Sequence, residues 1–567
     1  MELMLRAGKY RIPVEITQEK NRLYFKFGYN KAMLKEIKSM QGAKWHGYDK
    51  PNPRKLWSIS DSPRNRFQLE YLSGKDPYKN YDKSLVDFTP TRKLYKHQIV
   101  MVKHILTYKR VILACEMGTG KTLAVIEAVE QLGIPQEDFW YVGPKSGVKA
   151  VSLEFSKWDA RTTPGRMLTY EGLTKLLKFW DDDFPEPKFV FFDESSKIKT
   201  PSAQRSQAAL HLANAMDGYI VLGTGTPAPK SPVDWWHQCE VTCPGFIKEG
   251  SLASFKARLC IVEMRESIGR GSYPHLVTWL DDENKCTICG KTEEEDMHIG
   301  HDYTKSINEV ANLYKRMSGL VLVQFKKDCL DLPEKQYKVI QISPDIETLR
   351  AAKLIVKMSR NTVTALTLLR ELSDGFQYAL VEDGTKMCPL CYGLGIVNIP
   401  NENTKCPNCK GSCSVKNYKK IAKELGSKKL EVFEQLLDEH EEVGRFIAWG
   451  GFKATIDVLI KSAMKKGWCT LRVDGRGYQA MSHTGEKLDS DELLVAMDKS
   501  HKRYQELYER YGKICFIGHP KAGGMALTLT ASPTEFFYSN VFDGEARVQA
   551  EARFHRAGMD TNRGATI

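Results

Sequence analysis

The run Cys115-Glu116-Met117-Gly118-Thr119-Gly120-Lys121-Thr122 constrains this chain more than any other stretch. It is entered from the apolar Val111-Ile112-Leu113-Ala114 and left by the helix-forming Leu123 to Val129, so it reads as strand, loop and helix. Such a loop turns backbone N–H groups toward phosphate oxygens, and Gly118 and Gly120, with Thr119 between them, permit the turn. Lys121 then reaches the β- and γ-phosphates and the Thr122 hydroxyl reaches magnesium. Cys115 stands where the strict pattern has its first glycine.

Downstream, Phe189-Val190-Phe191-Phe192 is a buried-strand run ending in Asp193-Glu194. There an Asp holds the magnesium shell and a Glu orients or deprotonates the attacking water. Phe191 to Thr200 reads FFDESSKIKT, Val221 to Pro227 reads VLGTGTP, and Gln549 to Arg556 reads QAEARFHR. In this order the strings resemble the motor core of helicase superfamily two, and within it the Swi/Snf-type double-stranded DNA translocases. Further segments extend the resemblance over residues 91 to 567. These are Leu94 to Gln98, Gly143 to Trp158, Leu168 to Tyr170, Phe325 to Lys335, Ser427 to Leu430, Arg445 to Phe452, Asp474-Gly475 and Ala522 to Thr530.

The resemblance implies an α/β fold of two RecA-like parallel-sheet lobes that hydrolyse ATP with Mg2+ while tracking on DNA. It assigns Gln98 to the adenine, Lys121, Thr122, Asp193 and Glu194 to the phosphates, metal and water, and Arg553 and Arg556 to the arginine finger. Thr224, Gly225 and Thr226, with Gly523 and Gly524, would couple nucleotide to DNA. Four departures stand out. Ser195-Ser196 replaces the family's Ala-His, Val323 and Gln324 occupy positions where arginines are favoured, Cys115 is noted above, and the chain stops at Ala565-Thr566-Ile567 where the family continues. A truncated chain and a second lobe finished differently both fit that last departure.

The net charge of +13 is unevenly placed, since residues 1 to 100 hold 21 Lys plus Arg against 10 Asp plus Glu, or +11. That is an electrostatic footprint for phosphate or a solvated lysine face. Arg22 to Phe27 alternates as a half-buried strand, Asn30 to Met40 has helical spacing, and a second strand lies around Leu56 to Ile59. With Gly42-Ala43-Lys44-Trp45 and Lys55-Leu56-Trp57, this series resembles the HARP (HepA-related) domain of annealing-type translocases. Trp45 and Trp57 are expected as core anchors, because large aromatics dominate small cores.

Among fourteen cysteines, Cys388, Cys391, Cys406 and Cys409 form two CxxC knuckles suited to one tetrahedral zinc, with disulfides as the alternative and Cys413 as a substitute ligand. The first knuckle resembles the CxxCxGxG unit of DnaJ-type zinc modules. Cys286, Cys289, His298 and His301 make a tighter cluster that reads as a second zinc site or as a solvated loop.

The expected domains are a small α+β basic domain at 1–85, lobe one at 90–245, an insert with the cysteine and histidine cluster at 246–335, a helical insert with the four-cysteine module at 336–425 and lobe two at 426–567. At 42% hydrophobic and 27% charged, with no apolar run near membrane-span length, the chain reads as a soluble intracellular protein. Its compartment would be the cytoplasm in a prokaryote or a virus of one, and the nucleus in a eukaryote. The expected function is an ATP-dependent translocase on duplex, branched or forked DNA, with zinc bound, no membrane contact and a monomeric state. A strand-separating DNA or RNA helicase and a non-catalytic DNA clamp are the rivals.

Overall fold

The computed structural model describes residues 2–7, 10–20, 22–40, 43–47, 55–61, 63–74, 84–179, 186–247, 249–267, 271–295, 298, 300–399, 402–523 and 527–567. The chain divides into two compact units, Met1–Leu332 and Pro333–Ile567.

The first unit begins with an antiparallel sheet of β1 (Glu2–Ala7), β2 (Tyr10–Glu19), β3 (Arg22–Lys26), β4 (Lys44–Trp45) and β5 (Trp57–Ser60), in the order β1-β2-β3-β5-β4. Alternation decides which face is buried. Leu5, Val14, Ile16, Leu23, Phe25 and Ile59 pack with Met33, Ile37 and Leu69 from the helices Lys31–Ser39 and Pro63–Leu72. Asn30 starts the first of these helices, its side chain accepting from the N–H groups of Ala32 and Met33 at 2.9 and 3.0 Å. Trp45 departs from expectation. Trp45 lies exposed on the edge strand and Trp57 only borders the core, their rings 5.5 Å apart with Lys38 Nζ 5.4 Å from the Trp57 ring. Two strand residues that pair across an edge bury against each other instead of beneath the sheet. Gly42 lies outside the described residues.

A parallel sheet follows, built from β6 (Arg110–Cys115), β7 (Phe139–Gly143), β8 (Arg166–Thr169), β9 (Phe189–Asp193) and β10 (Tyr219–Gly223). After the hairpin of β11 (Cys260–Ser267) and β12 (Gly271–Trp279), β13 (Val321–Gln324) returns to complete the sheet in the order β13-β6-β10-β9-β7-β8. Every neighbour pair is parallel. Both faces are covered, Ile112, Val190, Phe192 and Leu222 contributing to one core and Val111, Phe189, Phe191 and Val221 to the other. This two-sided burial is why the strands are continuous apolar runs. β13 lies within 246–335, so that segment holds a strand of the sheet as well as the Cys/His cluster.

The second unit opens on β14 (Lys335–Gln336) and the helices Ile346–Met358 and Thr362–Ser373. A two-stranded ribbon of β15 (Phe376–Met387) and β18 (Ser414–Glu424) carries at its end the hairpin of β16 (Ile396–Ile399) and β17 (Glu402–Lys405). Then come β19 (Arg445–Trp449), β20 (Cys469–Asp474), β21 (Gly477–Met481), β22 (Lys487–Leu488), β23 (Ile514–Gly518) and β24 (Glu535–Phe537), in the order β22-β21-β20-β23-β19-β24. Four of them, β20, β23, β19 and β24, form a parallel RecA-like core extended by an antiparallel hairpin. Phe446, Ile456, Leu459, Trp468 and Ile517 fill one side. β25 (Ala565–Thr566) pairs with β14. No helix among the described residues is long and apolar enough to cross a membrane.

Glu535 is buried on β24 and accepts from Trp449 Nε1 at 2.9 Å. Burial pushes its carboxyl up to about 8, the Trp449 bond opposes this, and Glu551 reinforces it while Arg547 and Lys335 lower it. Its folded value exceeds the unfolded value of 4.5, so the folded unit holds the extra proton between the two. Stability therefore falls as pH rises from about 4.5 toward 8, by on the order of 5 kcal/mol at about 1.36 kcal/mol per unit. Glu535→Gln keeps the acceptor for Trp449 and should unfold later than wild type at about pH 9 while matching it at about pH 4.5. Denaturant unfolding across that range checks it, and parallel pH profiles would refute it.

Candidate nucleotide site and metal centres

β6 ends at Cys115 and the helix Lys121–Gln131 begins six residues later, leaving the loop between them at the carboxyl end of the sheet. Gly118 and Gly120 have φ of 85° and 86°. At Gly120 the positive φ favours glycine, and a Cβ there would lie 2.1 Å from Gln98 Nε2 and push that side chain aside. Lys121 Nζ donates to the Cys115 and Glu116 carbonyls at 2.7 and 3.4 Å, lying back across the loop it serves. Gln98 Nε2 donates to Thr119 O at 3.3 Å while its Oε1 accepts from Tyr95 N at 3.0 Å. The ring of His97, which sequence reasoning left without a role, lies 2.8 Å from the same Thr119 carbonyl. Its place beside Gln98 was the available signal. Thr122 is half-buried at the helix start.

Two departures from the family pattern prove to be neighbours. Cys115 Sγ donates to Leu322 O at 3.6 Å and Gln324 Oε1 at 3.7 Å, while Gln324 Nε2 reaches His97 O at 3.2 Å. Burial pushes the Cys115 thiol up to about 12, so it stays protonated and donates. Glu116 Oε2 accepts from Lys326 N at 2.8 Å, tying the loop to the segment after β13.

On β9, Asp193 Oδ2 accepts from Tyr141 OH at 2.9 Å, Oδ1 accepts from Glu194 N at 3.0 Å, and its carbonyl accepts from Tyr170 OH at 2.8 Å. Burial, then the Asp193 charge, hold the Tyr141 hydroxyl well above its ordinary range, so it remains a donor. Tyr141 was not singled out in the sequence, and Tyr170 entered only as the end of the Leu168 to Tyr170 segment. Glu194 takes φ 50°, a left-handed conformation costing on the order of 1–3 kcal/mol outside glycine. The Thr224–Thr226 loop follows β10, the strand between β6 and β9. Thr224 N donates to Leu113 O at 3.1 Å, Thr226 N to Thr224 Oγ1 at 3.1 Å, and a Cβ on Gly225 would meet Met117 Cγ at 2.5 Å. The 116–120 loop, the Asp193-Glu194 pair and the Thr224–Thr226 loop thus occupy the ends of three adjacent strands.

Arg553, Arg556 and Gly523 belong to the second unit. Arg553 is buried and donates through Nε to Gln549 O at 3.1 Å, while its carbonyl accepts from Leu529 N at 2.9 Å. Arg556 donates to Leu527 O at 3.1 Å. Both are therefore braced in the region 527–556. A Cβ on Gly523 would lie 2.9 Å from the Trp449 ring, and Gly524 falls outside the described residues.

The cysteines gather into two clusters whose ligand atoms all lie within 4.8 Å of one another. Cys388 and Cys406 sulfurs are 3.8 Å apart and Cys391 and Cys409 sulfurs 3.6 Å, where four sulfurs around one tetrahedral zinc sit about 3.8 Å apart. The cluster lies where the β15–β18 ribbon meets the β16–β17 hairpin, with Asn408 Nδ2 and Gly395 N each 3.3 Å from a sulfur. Cys413 is exposed, has φ 62°, and lies outside the foursome, which corrects its reading as a substitute ligand. In the other cluster Cys286 Sγ is 3.3 Å from His301 Nε2 and Cys289 Sγ 3.3 Å from His298 Nδ1, so the histidines present different ring nitrogens. All fourteen cysteines are free, which removes the disulfide alternative.

No family model matches the chain. It is 22% identical to the CHD3-type chromatin-remodelling factor PICKLE of Arabidopsis thaliana over 473 residues, which are 79% of this chain and 30% of that protein. It is also 22% identical to CHR7 of the same plant and type over 517 residues, 88% and 37% respectively. The chain is similar to Swi/Snf-type proteins of helicase superfamily two. It spans about a third of the length of these relatives. Among solved structures, the Sulfolobus solfataricus SWI2/SNF2 ATPase core in complex with dsDNA aligns over 85% of this chain and 89% of that one, at 16% identity and a TM-score of 0.34. At that score the fold assignment rests on the sheet orders themselves.

Proposed function

We propose that this protein is a DNA-stimulated ATPase that translocates on duplex DNA and remodels or reanneals forked and branched substrates. The observation that carries the reading is the convergence of Lys121, Asp193, Glu194 and Thr224 at the ends of three adjacent parallel strands. In this reading Lys121 and the loop N–H groups hold the phosphates, and Asp193, fixed by Tyr141, orients the Mg2+ shell. Glu194 takes the proton from the attacking water. Bound Mg2+ neutralises charge developing on the phosphates. Arg553 and Arg556, braced on Gln549 O and Leu527 O, are the arginine-finger candidates in this reading. The two cysteine clusters hold zinc and fold inserts too small for cores of their own.

A motor pushing along intact duplex displaces obstacles without prising bases apart. The protein should remove the third strand of a triplex in an ATP-dependent way and close a bubble, while barely opening a long tailed duplex. Efficient unwinding of that duplex without triplex displacement would establish the strand-separating helicase instead, and stimulation by RNA alone would change the substrate class.

The sheet at residues 2–60 and the +11 charge of residues 1–100 support a HARP-like role in gripping branched DNA. Removing residues 1–85 should weaken fork binding and flatten its salt dependence, because fewer counterions are released from phosphate. Titrating a labelled fork at about 50 and about 200 mM salt checks it, and an unchanged slope would exclude the role.

A further inference from the structure

Ser195 follows the acidic pair directly and is fully buried in the turn Ser195–Ile198. Its hydroxyl donates to Gln238 Oε1 at 2.7 Å. Gln238, equally buried in the helix Trp235–Thr242, donates through Nε2 to Pro227 O at 2.6 Å and Asp234 O at 3.0 Å. Pro227 ends the Thr224–Pro227 loop, whose Gly225 lies against Met117 of the phosphate loop. A second tie runs in parallel, since Asp234 Oδ2 accepts from Lys199 Nζ at 3.0 Å and from Lys230 N at 3.0 Å. The turn carrying Glu194 is thus joined to residues 227–238 by one neutral buried bond and one ionic bond.

The chemistry of the neutral bond is specific. A carboxamide accepts at one end and donates at the other, so it joins a hydroxyl donor on one loop to a carbonyl acceptor on the next with no buried charge. A glutamate would put a carboxylate against two carbonyls, and a leucine would leave both loops with unmet polar groups. A serine hydroxyl is a small donor that reaches this amide from a site with no exposed surface.

We propose that Gln238 is a positioning residue that transmits DNA contact at the 224–231 segment to Glu194 through the Ser195 hydroxyl. The proposal rests on the reading of the protein as a DNA-stimulated ATPase. Ser195 is the partner that lets this chain work without the family's histidine nearby. DNA contact shifts the Pro227 carbonyl, Gln238 follows it, and the turn carrying Glu194 is drawn into or released from its working position.

The test measures ATP turnover with and without duplex DNA in the full chain, for wild type, Ser195→Ala, Ser195→Thr, Gln238→Glu and Gln238→Leu. Ser195→Ala should leave the DNA-free rate and the KM for ATP within about twofold and lower the stimulated kcat by roughly 5- to 150-fold, the usual span of coupling between sites. Ser195→Thr, which keeps the hydroxyl, should retain stimulation. Gln238→Glu keeps the acceptor for Ser195 but loses the donor to Pro227, and should fail as Ser195→Ala does. Ser195→Ala removes one oxygen, so the test stands even if the Gln238 variants do not fold. Full stimulation in Ser195→Ala, or equal loss of basal and stimulated rates, overturns the relay while leaving the ATPase reading intact. A wild-type chain that hydrolyses ATP without response to DNA overturns both.

Discussion

Glu194→Gln stops ATP turnover, with kcat falling by on the order of 10²- to 10⁴-fold, while the protein still binds ATP. The amide fits the same space and leaves the Asp193 to Tyr141 bond untouched, so the arrangement proposed to hold ATP and Mg2+ should survive. What it loses is the capacity to accept a proton. Lys121→Ala is expected to give the opposite pattern, because in the proposed reading its Nζ, which lies across the loop on the Cys115 and Glu116 carbonyls, is the cation that meets phosphate. Its loss weakens nucleotide binding first. Nucleotide titration beside steady-state turnover separates the two variants. Wild-type turnover in Glu194→Gln would remove it as the base.

Metal analysis of the reduced, purified chain returns two zinc per molecule, and Cys406→Ser returns one. Structural zinc contributes on the order of 10–16 kcal/mol to small modules, so its loss unfolds what it holds. At the four-cysteine site that is the end of the ribbon, where β16 and β17 form only a short hairpin and the partly buried Val397 and Val415 are the apolar side chains packed on the cluster. The remainder of the second unit keeps its own core around Phe446 and Trp468. Chelation should therefore expose the 388–413 region to protease without lowering the main unfolding transition. His301→Ala removes the other equivalent, and a chain with no zinc under reducing conditions would dismiss both sites.

The grouping of Lys121, Asp193, Glu194 and Thr224 was legible because each lies at the end of a buried strand or a few residues past it. A strand buried on both faces is an unbroken apolar run such as Phe189 to Phe192, and the loop that follows must present its working side chains within a few positions. The residues that brace the site were not legible. Tyr141 lies 52 residues from the aspartate it holds, and Gln238 lies 43 residues from Ser195. In the sequence each is an ordinary member of a buried strand or helix. The two Cys/His groupings were readable from spacing, yet Cys413 was not separable from its neighbours until the gathered sulfurs left it out. The aromatic size of Trp45 and Trp57 pointed to a core, which Trp57 borders, whereas the edge strand left Trp45 exposed against it. β13 went unread because four residues after a long insert carry no mark of the strand they join.

The pairing of β14 with β25 has a bearing on how the second unit is made. Lys335 stands opposite Ala565 and Gln336 opposite Thr566, and Lys338 N and Ile567 N add bonds at 2.8 and 2.9 Å. Joining these segments closes a loop of about 230 residues, which costs on the order of 5 kcal/mol of chain entropy. The cost grows only with the logarithm of length, so the roughly 90 residues of helices, ribbon and four-cysteine tip account for under about 1 kcal/mol of it. Inserting an arm there is thermodynamically cheap. The burden falls on time, since a ribosome delivers residue 335 long before residue 565, and contacts of that separation form late. Until then β14 waits as an unpaired edge, and the second unit should be the slower and more chaperone-dependent half of the molecule.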